Sequence, residues 1–189
     1  MWNSMIKPTL VLFLVCVVIA GSLAFVNRAT DDVIEARTKA EQEEFRKQVM
    51  DKADTFEMVN PEGIPQEVTE VYAAFNGTDI VGYVIGVAPK GYGGNIGMIV
   101  GVSMEGQVTG VIIGDHNETP GLGSRAKEPG FISQFTGISM KDTLTVVKQE
   151  KKSSNEIQAL SGATITSRAV TEGVSAALEM AEMMIEGGN

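Results

Sequence analysis

The sequence predicts an α+β chain: an N-terminal transmembrane helix followed by an antiparallel β-sheet domain flanked by helices. Three observations carry this expectation. The twenty residues from Pro8 to Asn27 contain no charge, and at ~1.5 Å per residue twenty helical residues span the ~30 Å of a bilayer core. Between about Glu67 and Asp115, β-branched runs alternate with glycine-containing turns, which is the pattern of hairpins. From Val170 onward, apolar residues recur at helical spacing. Strands in the middle and helices at both ends fit an antiparallel sheet covered by helices.

The length, 189 residues, suits one compact domain with an appendage. Fifteen Lys and Arg against 24 Asp and Glu leave a net charge of −9. Residues 1–28 hold Lys7, Arg28 and no acid, so the remainder has 13 basic and 24 acidic residues, a net −11. The single cysteine, Cys16, cannot form an internal disulfide or a multi-cysteine cluster site. The single histidine, His116, excludes multi-His metal sites and reads as a loop residue rather than a catalytic base. An acidic chain with 6% aromatic residues repels phosphate backbones and lacks stacking platforms, so no nucleic-acid partner is expected. Any redox chemistry here therefore falls to a bound organic cofactor.

Taken in chain order, residues 1–28 are the expected membrane anchor, bracketed by Lys7 and Arg28, with Pro8 where a helix start tolerates it. Ser22-Leu23-Ala24 resembles a signal-peptidase site, but Phe25 and Val26 carry the apolar run past it, which favours an uncleaved anchor. Cys16 lies too far inside that run for a lipoprotein anchor. Charge counting leaves the orientation open. Arg28, Arg37, Lys39, Arg46 and Lys47 all follow the span, yet the positive-inside rule weakens for long translocated domains. Residues 29–66 are expected to be a connecting helix and linker. Helical character runs from Thr30 and Asp31 to about Phe56, with Phe45, Val49, Ala53 and Phe56 on one face. The stretch from Asn60 to Pro65 breaks it.

Residues 67–189 form the expected third segment. Val71–Phe75 and Ile80–Val87 flank Asn76-Gly77 as one hairpin, and Ile96–Val102 and Val108–Ile113 flank Glu105-Gly106 as another. Gly82 and Gly101 inside these strands suggest bulges or close backbone approach. Thr143–Val147 is a further short strand. The terminal helix buries Val170, Val174, Leu178, Ala181 and Ile185, and exposes Glu172, Glu179, Glu182 and Glu186.

Three motifs bear on chemistry. The loop Gly91-Tyr-Gly-Gly-Asn-Ile-Gly97 is not a dinucleotide fingerprint. Ile96 stands where the third glycine belongs, and a strand follows instead of a helix. A flexible β-connection is the expected role, with a position along a ligand as the lesser alternative. In His116-Asn-Glu-Thr-Pro-Gly-Leu-Gly123, Pro120-Gly121 suits the centre of a type II turn, which would fix Glu118 and Thr119 just after a strand. In Ser161-Gly-Ala-Thr-Ile-Thr-Ser167, small residues let a ligand meet the backbone, and a helix entered at about Thr166 favours an anion there. Ordinary helix capping by Thr166 or Ser167 is the alternative.

The single span, the Gly-Tyr-Gly-Gly loop, Glu118-Thr-Pro-Gly-Leu-Gly123 and Ser161-Gly-Ala-Thr164, in that order, resemble the FMN-binding G subunit of the Rnf electron-transport complex. The C subunit of the sodium-pumping NADH:quinone reductase is a related alternative, and a non-redox anchored binding domain is a second. The resemblance implies FMN attached by a phosphoester to Thr164 and installed by a separate flavin transferase. Gln158 stands where the family usually has an acidic residue. The resemblance also implies that Ser161, Gly162, Ala163, Ile165, Thr166 and Ser167 surround the attachment point, and that Glu118, Thr119, Leu122 and Tyr92 line the flavin. No side chain is expected as acid or base, and no metal. The implied protein is an electron carrier, not catalytically complete alone, in a complex that couples ferredoxin:NAD+ electron transfer to Na+ or H+ translocation. Its implied partners are the other membrane, iron–sulfur and flavin subunits, with the flavin domain outside the cytoplasm.

Overall fold

The computed structural model describes residues 2–187, and the side chains of all of these except 2–5 and 31–36. Met1 and Asn189, the outer limits of the expected segments, lie outside the described residues. The chain forms two compact units, Met1–Glu43 and Glu44–Asn189.

The expected anchor and the start of the expected connecting segment fall in one helix, α1 (Trp2–Val49), whose residues from Glu44 on belong to the second unit. Its segment Ile6–Thr30 has a mean hydropathy of 2.8. Phe13, Leu23 and Phe25 are each at least 66% exposed, an apolar surface that suits lipid. The hydroxyls of Ser22 and Thr30 donate to the carbonyls of Val18 (2.8 Å) and Val26 (3.0 Å). Neither then meets hydrocarbon unsatisfied.

The second unit is built on a five-stranded antiparallel meander: β1 (Thr55–Val59), β2 (Val68–Asn76), β3 (Asp79–Val87), β4 (Met98–Ser103) and β5 (Val108–Ile113), in that order. Both expected hairpins are present, and Gly77 and Gly106 take positive φ at their turns (62° and 72°). On one face, Val71, Ile85, Val100 and Val111 lie in register across four strands, all at most 4% exposed. The stripe of α3 (Thr164–Gly187) covers them, with Val170, Val174, Leu178 and Ala181 buried and Ile185 packed alongside. Between sheet and α3 run a 3₁₀ segment (Gly123–Lys127), a short helix α2 (Pro129–Ile132) and a parallel pair, β6 (Thr145–Val147) with β7 (Glu156–Gln158). β7 has no counterpart in the sequence reading, because only Ile157 of its three residues is buried.

The helix expected to reach Phe56 ends at Val49. Asp51 and Lys52 turn the chain, and Thr55–Val59 pairs with β2. The apolar spacing identifies positions that do reach the interior, since Val49 and Ala53 are buried and Phe56 packs beside them. A turn and an edge strand, instead of helix, carry Ala53 and Phe56 there. The second face of the sheet receives the last turn of α1. Gly101 and Gly110 are register partners, and a Cβ on Gly101 would lie 2.4 Å from the Val49 carbonyl oxygen. On Gly110 it would lie 3.1 Å from Val49 Cα. The Thr109 hydroxyl donates to that same carbonyl, a group the helix end leaves without an intrahelical partner. Register shifts beside Gly101 and opposite Gly82 add the expected bulges.

Arg46, 8% exposed, lies 4.3 Å over the centre of the Tyr72 ring, while its Nε and Nη1 have no hydrogen-bond partner. The Tyr72 hydroxyl donates to Glu70 at 3.2 Å. Burial foremost, then the charge of Glu70, push the Tyr72 phenol above its usual value of 10.0, with Arg46 pulling the other way. The folded form thus holds this proton more tightly than the unfolded chain. The associated stability is complete below pH 10.0 and is lost as pH rises through the folded value. Melting curves taken from pH 8 upward should therefore fall more steeply for wild type than for Tyr72→Phe once the pH passes about 10. Parallel curves for the two proteins would refute this.

Candidate functional site

Two tight turns build the site. In the first, the Leu122 N–H donates to Thr119 O at 3.1 Å, and Gly121 between them has φ 75°. This is the expected type II turn with Pro120 and Gly121 at its centre. The N–H of Ser124 also reaches Thr119 O (3.2 Å), and the Ser124 hydroxyl accepts from Gly121 (2.9 Å). In the second turn, the Ala163 N–H donates to Leu160 O at 3.0 Å across Gly162, whose φ is 77°. The turns touch, since a Cβ on Gly162 would lie 3.1 Å from Leu122 Cδ2.

α3 starts at Thr164 and not at about Thr166. Its first intrahelical bond runs from the Ser167 N–H to Ala163 O (2.9 Å), which makes Ala163 the N-cap and Thr164 the first helical residue. Neither Thr166 nor Ser167 is the cap. The Ser167 hydroxyl, fully buried, donates to Ala163 O (2.9 Å) and accepts from the Leu160 N–H (3.0 Å), so it staples the turn to the helix. An alanine cap supplies no oxygen, and the N–H groups of the first turn are left for another acceptor.

Glu118 ties these pieces together. It is 6% exposed; its Oε1 accepts the Gly93 N–H at 2.9 Å and its Oε2 accepts the Thr166 hydroxyl at 2.5 Å. Its own N–H donates to His116 Nδ1 (3.3 Å), so His116 serves as a loop acceptor. The glycine-rich loop is therefore more than a β-connection, because Gly93 is held against the Glu118 carboxylate. A side chain there has no room, as a Cβ on Gly93 would meet Asn117 O at 1.9 Å. On Gly123 it would meet Glu118 Oε2 at 2.4 Å and Thr166 Oγ1 at 2.6 Å.

Two clefts share Gly162 and Thr164 in their linings. The first, about 590 Å³, is lined by Tyr92, Leu122 and Ile165, by Gly162, Ala163 and Thr164, and by Glu118, Thr119 and Thr166. Nine of the eleven expected site residues thus share one cleft, with Gly123 as an addition. Its size is within the ~300–1,000 Å³ usual for small-molecule sites. Tyr92, Leu122 and Ile165 are 70%, 44% and 55% exposed, an apolar mouth. The second cleft, about 580 Å³, takes Ser161 together with Gly162 and Thr164, and adds Arg125, Glu128, Gln134, Lys148 and Gln158. Ser167, buried beneath, lines neither. Sequence reasoning misses this second cleft, whose polar residues come from separated segments with no motif among them.

The FMN-binding domain family matches residues 91–179, which include both turns and both clefts, and the RnfG N-terminal region matches residues 1–49. Among curated proteins, the chain is 38% identical to the G subunit of the Na(+)-translocating ferredoxin:NAD(+) oxidoreductase complex of Acetobacterium woodii, over 95% of this chain and 92% of that protein. It is 38% identical to the G subunit of the proton-translocating ferredoxin:NAD(+) oxidoreductase complex of Clostridium ljungdahlii, over 94% and 91%. The G subunit of the ion-translocating oxidoreductase complex of Methanosarcina acetivorans is 29% identical over 92% of each chain. The lipid-suited N-terminal helix, the domain matched at residues 91–179 and near-complete alignment with these relatives agree, and the chain belongs to the RnfG family, the G subunits of ion-translocating (Rnf) oxidoreductase complexes.

Proposed function

We propose that this chain is the membrane-anchored electron-transfer subunit of a ferredoxin:NAD+ oxidoreductase complex, with FMN esterified through its phosphate to Thr164 Oγ. The observation that carries the reading is the position of Thr164. It is the first residue of a helix whose cap, Ala163, has no side-chain oxygen, and it stands half-exposed between two clefts in the FMN-binding domain. A phosphate on Thr164 would meet the first-turn N–H groups and the positive end of the helix dipole. Ser161 and Gly162 shape the turn, Tyr92, Leu122 and Ile165 offer apolar contact, and Thr119 offers a hydroxyl. Bound here, the flavin supplies the one- and two-electron chemistry, and the chain supplies position, shielding and potential.

Attachment needs an activated donor. Thr164 Oγ attacks the phosphorus of a flavin nucleotide phosphoanhydride, the anhydride P–O bond breaks, and the hydroxyl proton leaves with the departing nucleotide. The carboxylates in the clefts beside Thr164 are already engaged, Glu118 by Gly93 and Thr166 and Glu128 by Arg125. A separate flavin transferase supplying the base suits this arrangement. We place the domain on the extracytoplasmic side, held by an uncleaved single-pass anchor, among the other membrane, iron–sulfur and flavin subunits. The apolar run that continues through Phe25 and Val26, past Ala24, supports the uncleaved anchor.

Co-expression with a flavin transferase should add an FMN-sized mass to the intact chain and give in-gel flavin fluorescence under denaturing conditions. Thr164→Ala should abolish both. A Thr164→Ala protein that keeps the covalent flavin would overturn the assignment.

A further inference from the structure

We infer that the second cleft is the anion subsite of the same cofactor, with Arg125 and Lys148 taking the charge of the phosphate on Thr164. This rests on the attachment proposed above. A phosphate linking two alcohols keeps one negative charge, which the first-turn N–H groups of α3 meet only in part, so the charge lining each cleft matters. The residues lining the apolar cleft include no cation, and its carboxylate, Glu118, is buried with both oxygens already accepting hydrogen bonds. An anion placed there would be repelled at short range in a poorly solvated setting. The second cleft has the opposite character: Arg125 and Lys148 against Glu128 leave one positive charge in surplus.

The frame of this cleft is fixed independently of any ligand. The Gln134 side-chain amide accepts the Gln158 N–H at 2.8 Å and donates to Gln158 O at 3.3 Å, so it pins the end of β7 to the segment after α2. Lys148 follows directly on β6, whose Val147 is the register partner of Gln158. Arg125 sits in the 3₁₀ segment that continues from the Thr119–Leu122 turn. Its guanidinium pairs with Glu128 at 3.2–3.3 Å. Both side chains are about half exposed, 45% and 53%, and a pair so solvated gives up its partner at little cost. A guanidinium fork matches two phosphate oxygens as well as it matches a carboxylate, so Arg125 can turn from Glu128 to the phosphate. The two clefts that meet at Thr164 thus divide the cofactor by chemistry, apolar contact in the first and charge neutralisation in the second.

The test uses the full-length chain in detergent, prepared with and without flavin transferase, as wild type and as the double variant Arg125→Gln with Lys148→Gln. Both substituted residues are exposed on the surface, so the unflavinylated proteins should melt alike. Flavinylation should raise the melting temperature of wild type, and in the double variant that gain should shrink by about half or more. The phosphorus NMR resonance of the Thr164 diester should also move between the two flavinylated proteins. An unchanged gain together with an unmoved resonance overturns the subsite. Should the double variant take up no flavin, the same comparison is made on each single variant, and an undiminished gain in both has the same force. A wild-type chain that acquires no FMN-sized mass overturns the attachment itself, an outcome read before any variant is compared.

Discussion

Glu118→Ala is expected to destabilise the domain by about 2–4 kcal/mol, which for its size corresponds to roughly 5–15 °C in melting temperature. The carboxylate is nearly buried and joins the Gly93 N–H to the Thr166 hydroxyl. Truncation leaves the buried Thr166 hydroxyl without an acceptor, at about 1–3 kcal/mol, hands the N–H of exposed Gly93 to water, and opens a void next to Gly123. Glu118→Gln provides the control. Its amide oxygen can still accept from Gly93, and the Thr166 hydroxyl can rotate to accept from the amide nitrogen, so most of the loss should be recovered. Thermal melts followed by circular dichroism decide the matter. An Ala variant melting within about a degree of wild type would show that the carboxylate is no clamp. The glutamate expected to line the flavin thus has a prior task, which is to hold the Tyr92 loop and the start of α3 in one arrangement.

The second large effect is expected at Gly101→Ala. The added methyl would sit 2.4 Å from the Val49 carbonyl oxygen and 2.4 Å from Thr109 Oγ1. Both neighbours belong to one contact, since the Thr109 hydroxyl donates to that carbonyl. Relief requires backbone movement at the end of α1, and overpacking of this kind costs about 1–3 kcal/mol or more. Gly110→Ala places its methyl against Val49 Cα at 3.1 Å, a milder crowding. Denaturant midpoints should fall in the order wild type, Gly110→Ala, Gly101→Ala. The reverse order, or no change at Gly101, would mean that the helix end is not seated on this glycine pair.

Local signals are legible in the sequence wherever one physical cause dominates. The charge-free run from Pro8 to Asn27 marks the span, alternation and turn glycines mark both hairpins, and the α3 stripe marks its buried face. The Pro120-Gly121 turn follows from residue chemistry alone. β1 escapes because Val49, Ala53 and Phe56 report burial, and burial does not choose between a helix and a turn with a strand. The start of α3 lies earlier than the sequence suggests because Thr166 and Ser167 look like caps while the observed cap is an alanine. Their hydroxyls are used elsewhere, on Glu118 and on the preceding turn. Glu118 is recognisable as a site residue, but its role depends on partners 25 and 48 positions away. The second cleft assembles Arg125, Lys148 and Gln158 from segments that only the folded chain brings together.

The seat of Val49 on Gly101 and Gly110 also decides where the protein can be cut without harm. A protease acting at exposed Arg37 sheds a folding unit that keeps its own plug, because the compact part starts at Glu44. A cut after exposed Lys52 removes Val49 and Met50 instead, and wets the apolar patch of Ala74 and Val84 beneath them. Shedding at the first position leaves this face of the sheet covered, and shedding at the second leaves a domain with an open seam.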